Sequence, residues 1–119
     1  MMQSKIVTMS VDNSVASTGD SSNSYVCEDT NDNVFLLSYT EATNNTYGLN
    51  NNDVRTRRPT DFALASGTYT YQSGSYWWSR SPRSNYSNKA RIFLYSGGAD
   101  GMNVFVDYVG VVPALCLDN

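Results

Sequence analysis

The stretch Ser75–Gly97, SYWWSRSPRSNYSNKARIFLYSG, concentrates side chains that could do chemistry. Trp77 and Trp78 stand side by side before an Arg80-Ser81-Pro82 turn. Tyr86, Phe93 and Tyr95 follow, interleaved with Arg83, Lys89, Arg91 and several Ser and Asn residues. Aromatic rings give contact area, guanidinium and ammonium groups attract anions, and Ser and Asn give adaptable hydrogen bonds. That is the chemistry of recognition. Arg80, Arg83, Lys89 and Arg91 occur with no acid among them. This local charge suits an anionic glycan, a teichoic-type polymer or a single strand stacked on aromatics, or else makes a solvated basic rim.

Bond-making chemistry is poorly supplied. The chain has no histidine, so the usual general base and the Ser-His-Asp arrangement are missing. Cys27 and Cys116 are the only thiols and neither belongs to a CxxC pair, which argues against a structural zinc site. Asp and Asn cluster at 28–33 and 50–53, where turn chemistry accounts for them without calcium. The reading is a non-enzyme with no metal and no cofactor. A net charge of −3 argues against general nucleic-acid binding. No apolar run is long enough to cross a membrane. The opening MMQSKIVTMS has no apolar signal-peptide core, so an export address would lie outside this chain.

The elements that must position these residues read as one domain of mixed type. Residues 1–26 form a polar leader, loosely attached, in which KIVTMSV is a short strand. The domain proper spans 27–119. Residues 33–39, NVFLLSY, read as a strand buried on both faces. Ser38 or Thr40 caps a short helix that Gly48 ends, and Thr60 caps a second at 60–66, with Gly67 beyond it. Thereafter the chain reads as β and loop, with turns at Gly97-Gly98 and Asp100-Gly101 and a strand in NVFVDYV. GVVPALCL closes the chain as an apolar strand, with Pro113 at a strand start, bulge or edge.

Strands 34–39 and 111–117 suit each other as an antiparallel pair, with Phe35–Leu37 opposite Pro113–Leu115. That pairing would let Cys27 approach Cys116, leaving a disulfide open beside two free thiols. Within the last third, Trp77 and Trp78 should point to opposite sides. Ile92 and Leu94 look like the core pair, leaving Phe93 and Tyr95 displayed.

Four segments at these spacings, CEDTNDNVFLLSYTEATN, YGLNNNDVRTRRPTDFALASG, YWWSRSP and GVVPALCL, carry a resemblance. They resemble a bacterial and phage family of C-type-lectin-fold domains that reads D-x-V-F-L-L-S-Y, R-x-R-x-P-T-D-Y-A, W-W-L-R-S-P and G-V-R-P-A-L. The match runs over about residues 27 to 117. Ser79 stands where the family has Leu, and Val112 where it has Arg. The resemblance implies an α+β C-type lectin-like fold, with small antiparallel sheets, two short helices, much irregular loop and paired terminal strands.

The family includes variable proteins of diversity-generating retroelements, in which adenine-directed errors rewrite codons near the gene's 3′ end. By that resemblance Tyr76, Arg83, Asn85, Tyr86, Asn88, Arg91, Phe93, Tyr95, Asn103, Phe105, Asp107 and Tyr108 are the displayed positions. Trp77, Trp78, Arg80, Pro82, Phe35, Leu37 and Leu115 are the scaffold. The function implied is non-catalytic binding of a protein or glycan ligand by a receptor- or adhesin-type domain, extracellular, on a cell surface or on a phage particle. The alternative is a structural or fixed-specificity lectin-like module.

Overall fold

A computed structural model describes residues 5–118, the side chain of Thr46 excepted. Its architecture is α+β, with four short α-helices, a 3-10 turn at Asn45–Tyr47 and five small antiparallel sheets. Two of the helices are those expected, and two more lie in polar segments that carry no helical periodicity.

The two ends of the chain are stitched together. Strand β1 (Ile6–Val7) pairs with β11 (Cys116–Leu117), Ile6 opposite Leu117 and Val7 opposite Cys116. Strand β2 (Met9–Val11) pairs with β3 (Thr30–Asp32). Strand β4 (Phe35–Leu36) pairs with β10 (Pro113–Ala114), setting Leu36 opposite Pro113 and Phe35 opposite Ala114. This is the antiparallel pairing expected, with Pro113 first in its strand, where a missing N–H disturbs the ladder least.

Three expectations change here. The strand at 33–39 is cut to Phe35–Leu36 and is only half-buried, with Val34 54% exposed. The cause is Ser38, whose Oγ accepts from the Glu41 N–H while Glu41 Oε1 accepts from the Ser38 N–H. This reciprocal cap starts helix α2 (Tyr39–Thr43) and turns the backbone out of the strand. Leu115, expected in the scaffold, is 45% exposed between β10 and β11.

The leader is also not loose over residues 5–26, while residues 1–4 of it lie outside the described residues. It supplies β1, β2 and helix α1 (Val15–Thr18), which packs on α2. Ser17, Thr18 and Asn23 are buried, and the Asn23 amide donates to the Pro82 carbonyl at 3.0 Å.

The largest sheet is three-stranded: β7 (Trp77–Pro82), β8 (Lys89–Phe93) and β9 (Ala99–Asn103), with β8 in the middle. Along β7, buried and half-buried residues alternate, so Trp77 and Trp78 do face opposite ways. Asp100 and Gly101 lie inside β9 and are no turn, and residues 103–109 do not form the expected strand. The chain after β9 instead returns irregularly until Gly110 bridges to the start of β7. There Trp78 N–H donates to Gly110 O at 3.0 Å and Gly110 N–H to Tyr76 O at 2.8 Å.

The core is Trp77, Phe93 and Ala42, with Leu37, Tyr39 and Val112 packed against them. Phe93 is fully buried, not displayed. Register explains it. Phe93 sits directly opposite Trp77 and shares its buried face, while Ile92, opposite Trp78, is fully buried on the other face as expected, so this end of β8 is covered on both sides.

These rings form a continuous pile. Trp77 and Phe93 stack with centroids 4.5 Å apart, and Tyr39 stacks on Phe93 at 6.2 Å with planes 9° apart. Guanidinium groups close both ends, Arg91 4.4 Å over Tyr39 and Arg57 5.8 Å over Trp77. The Trp77 indole N–H donates to the Arg55 carbonyl at 3.1 Å, so its one polar atom is satisfied inside the core.

Candidate functional site

A tyrosine array opens where β7 begins. Helix α4 (Asp61–Ala65) is capped by Thr60, whose Oγ1 accepts from the Ala63 N–H at 3.1 Å. A hairpin follows, β5 (Thr70–Tyr71) and β6 (Gly74–Ser75). Its two turn residues, Gln72 and Ser73, both have left-handed backbones, at φ 50° and 67°. Two-residue hairpins favour that mirror-image turn, usually with Asn or Gly, so this one is held against local preference.

The hairpin sets Tyr69 and Tyr71 against three tyrosines from the expected display set. Tyr69 meets Tyr76 at 5.2 Å between centroids and Tyr108 at 6.2 Å. Tyr95 meets Tyr71 at 4.8 Å and Tyr76 at 6.2 Å. The five rings therefore form one chain of contacts, 108–69–76–95–71. Tyr69 and Tyr71 are 42% and 47% exposed, while Tyr76, Tyr95 and Tyr108 are half-buried behind them. Burial, then the neighbouring Tyr69, Tyr95 and Tyr108 and the Asp100 carboxylate, push the Tyr76 phenol up from its ordinary value. Tyr76 thus stays neutral within a ring-rich face, in which the Tyr108 hydroxyl donates to Met102 Sδ at 3.6 Å. Tyr69 and Tyr71 were missed from the sequence because they precede the tryptophan pair; the alternation of TYTY is the signal that could have found them.

The other end of the sheet holds a second group. Tyr86 is 45% exposed and Lys89 lies 4.4 Å over its ring. Asn85 takes a left-handed backbone, and Asn88 is exposed beside it. Arg83 is half-buried and lies across Gly101, while Asn103 is half-buried opposite Lys89. A hollow of about 380 Å³ adjoins Tyr86, Pro82, Tyr25 and Cys27. Residues 104–108 run back from this end, where Val104 N–H donates to Asn88 O at 2.9 Å, to the array, where Tyr69 N–H donates to Tyr108 O at 2.9 Å. They carry Phe105, 75% exposed, and the exposed Asp107.

The expected basic rim is smaller than its sequence. Arg91 pairs with Asp20 at 2.7 Å and lies over Tyr39, so it closes the core and is not displayed. Burial raises the Asp20 carboxyl, but hydrogen bonds from Arg91, Asn23 and Thr18 and the Arg91 charge outweigh it, leaving the group below its ordinary value. Arg80 is scaffold. It forms a two-pronged ion pair with Glu41, donates through Nε to Asn13 at 3.0 Å, and donates to the Leu36 and Asp12 carbonyls, each at 2.7 Å. Arg83 and Lys89 alone of the four are left for a ligand, because the leader supplies partners that the local sequence does not show.

Cys27 and Cys116 are free thiols, the first exposed and the second half-buried. Cys116 lies opposite Val7 and faces a hollow with Met9, Phe35 and Pro113. Cys27 instead lines the hollow beside Tyr86. The β4–β10 register came out as expected, but β1 takes the place beside β11 that the segment around Cys27 was to occupy. Among the described residues no three His, Cys, Asp or Glu side chains could hold a metal ion, and no helix is long and apolar enough to cross a membrane.

No curated protein and no solved structure matches the chain. A family model does, over residues 1–119 and so through both the leader and the tyrosine array, and the chain belongs to that family, described as a domain of unknown function (DUF6273).

Proposed function

We propose that this domain is a non-catalytic ligand-binding module of receptor or adhesin type, with the tyrosine array as its anchor. The observation that carries the reading is the five-ring contact chain, three of whose members come from the segment after residue 75. Tyrosine gives large contact area with few rotors to immobilise, and its hydroxyl still bonds at the rim. Phe105, Tyr86, Arg83, Asn85, Asn88, Asn103 and Asp107 extend the surface along residues 104–108 and the β7–β8 connection. The ligand is a protein or glycan presented outside the cell or to a phage particle. The finer fold is C-type lectin-like, with the displayed positions rewritten by a retroelement.

A specific observation favours a second reading, fixed specificity. Phe93 and Arg91 stand among the candidate variable positions, yet one fills the core and the other closes it. Rewriting either would damage folding.

Sequencing the DNA downstream of the gene separates the two. A near-identical repeat of the segment encoding residues 76–110, differing at adenines and sparing the codons for Phe93 and Arg91, supports diversification. Absence of a repeat leaves a fixed ligand. The binding claim itself is tested on glycan and protein arrays. Tyr71→Ser and Tyr69→Ser should abolish the signals given by the wild-type domain; signals that survive both changes overturn the array as anchor.

A further inference from the structure

Tyr76 also lines a small hollow of about 110 Å³. Its wall includes Ser75, Tyr76, Trp77, Arg57 and Arg58, and no carboxylate lines it. Ser75 is only 4% exposed, and its Oγ has no hydrogen-bond partner among the described residues. Buried hydroxyls are normally partnered, so an orphan at a cavity wall points to something the cavity is built to hold.

The charge beside it is uncommitted. The two ion pairs among the described residues belong to Arg80 and Arg91. Arg57 donates through Nη1 to the Val54 and Thr56 carbonyls at 2.7 and 2.9 Å, which holds its planar group over Trp77 without neutralising it. Arg58 is exposed and also borders the neighbouring hollow lined by Tyr71 and Ser73. A hydroxyl donor and two guanidinium groups around a space of this size match one oxyanion.

We infer that this hollow is an anion subsite, taking a single carboxylate or phosphate group, with Arg57 and Arg58 pairing from the sides and the covered Ser75 hydroxyl turning about χ1 to donate from the floor. Its occupant can be a free anion or the acidic group of a larger ligand lying on the tyrosines. The subsite stands independently of the array reading, because it needs no ring contact.

The test is a nuclear magnetic resonance titration of the full chain with inorganic phosphate, and separately acetate, at constant ionic strength against chloride. The expected result is saturable shifts of the Ser75 amide and the Trp77 indole N–H. Arg58→Gln should weaken the phosphate affinity about tenfold, as loss of a charge-assisted partner does. Ser75→Ala should weaken it several-fold while leaving the fold intact, since removing an unpartnered buried hydroxyl does not destabilise. Tyr71→Ser should leave it unchanged, so failure of the array and failure of the subsite are told apart. Shifts that rise without saturating, or saturable binding indifferent to both Arg58→Gln and Ser75→Ala, overturn the subsite.

Discussion

Phe93 and Tyr95 are two residues apart, share strand parity and belong to different aromatic assemblies. Phe93 is the dry centre of a pile that runs Arg91, Tyr39, Phe93, Trp77, Arg57. Tyr95 stands in the half-exposed array with Tyr71 and Tyr76. The boundary between them is the end of β8. Leu94 N–H already bonds across a turn to Gly98 O at 2.7 Å, so parity stops governing direction there. The rings that pile between Arg91 and Arg57 make scaffold, and the rings of the array, joined chiefly to each other, make surface. The lesson is that aromatic content must be sorted by partners, not by hydrophobicity or spacing.

Emptying the dry assembly should have the largest effect. Phe93→Ala or Trp77→Ala should cost roughly 3–5 kcal/mol in denaturant unfolding, as for other large core truncations. A Phe93→Ala protein that melts like wild type would merge the two assemblies. Next comes the boundary itself. Gly97 has φ 86°, and a Cβ there would lie 1.8 Å from the Asn52 carbonyl oxygen. Gly97→Ala should cost about 2–4 kcal/mol through strain and displacement of that backbone, read by thermal unfolding.

The acid that anchors the pile gives the third test. The folded Asp20 carboxyl lies below its unfolded value, so its contribution is present above the unfolded pKa and is lost as pH falls through the lower folded one. Asp20→Asn should cost about 1–2 kcal/mol at neutral pH and flatten the acid limb of the stability curve. An unchanged acid limb would remove Asp20 from the account. The smallest effect on stability belongs to the wet assembly. Tyr71→Ala and Tyr86→Ala should each change it by less than about 1 kcal/mol while ligand signal falls. If Tyr86→Ala alone removes binding, the anchor moves to the opposite end of the sheet.

Much of the scaffold was legible in local chemistry. Thr60 and Ser38 read as caps because hydroxyls before a helical turn have one favoured use, and both act so. The antiparallel meeting of Phe35 with the Pro113 segment followed from two apolar runs needing each other. Phe93 was misplaced because the end of β8 is covered on both faces, so a buried Ile92 did not leave its neighbour displayed. The leader misled for a related reason. Its polar composition suggested looseness, yet Asp12, Asn13 and Asp20 are the partners of Arg80 and Arg91, contacts spanning some sixty to seventy residues. Tyr76, Tyr95 and Tyr108 are half-buried, and their assembly depends on a hairpin of which the local sequence shows only a Gly turn.

The pairing of residues 6 and 7 with 116 and 117 has a consequence for synthesis. The N-terminal edge strand leaves the ribosome long before its partner exists, and β4 must likewise wait for β10. Closing so large a loop comes late and slows folding. A chain that stalls before residue 113 carries two unpaired edges and a half-covered Phe35, features that aggregation and proteases act on. Strands β10 and β11 thus work as a check on translation through residue 117, because only a chain that carries them can cover β4 and β1.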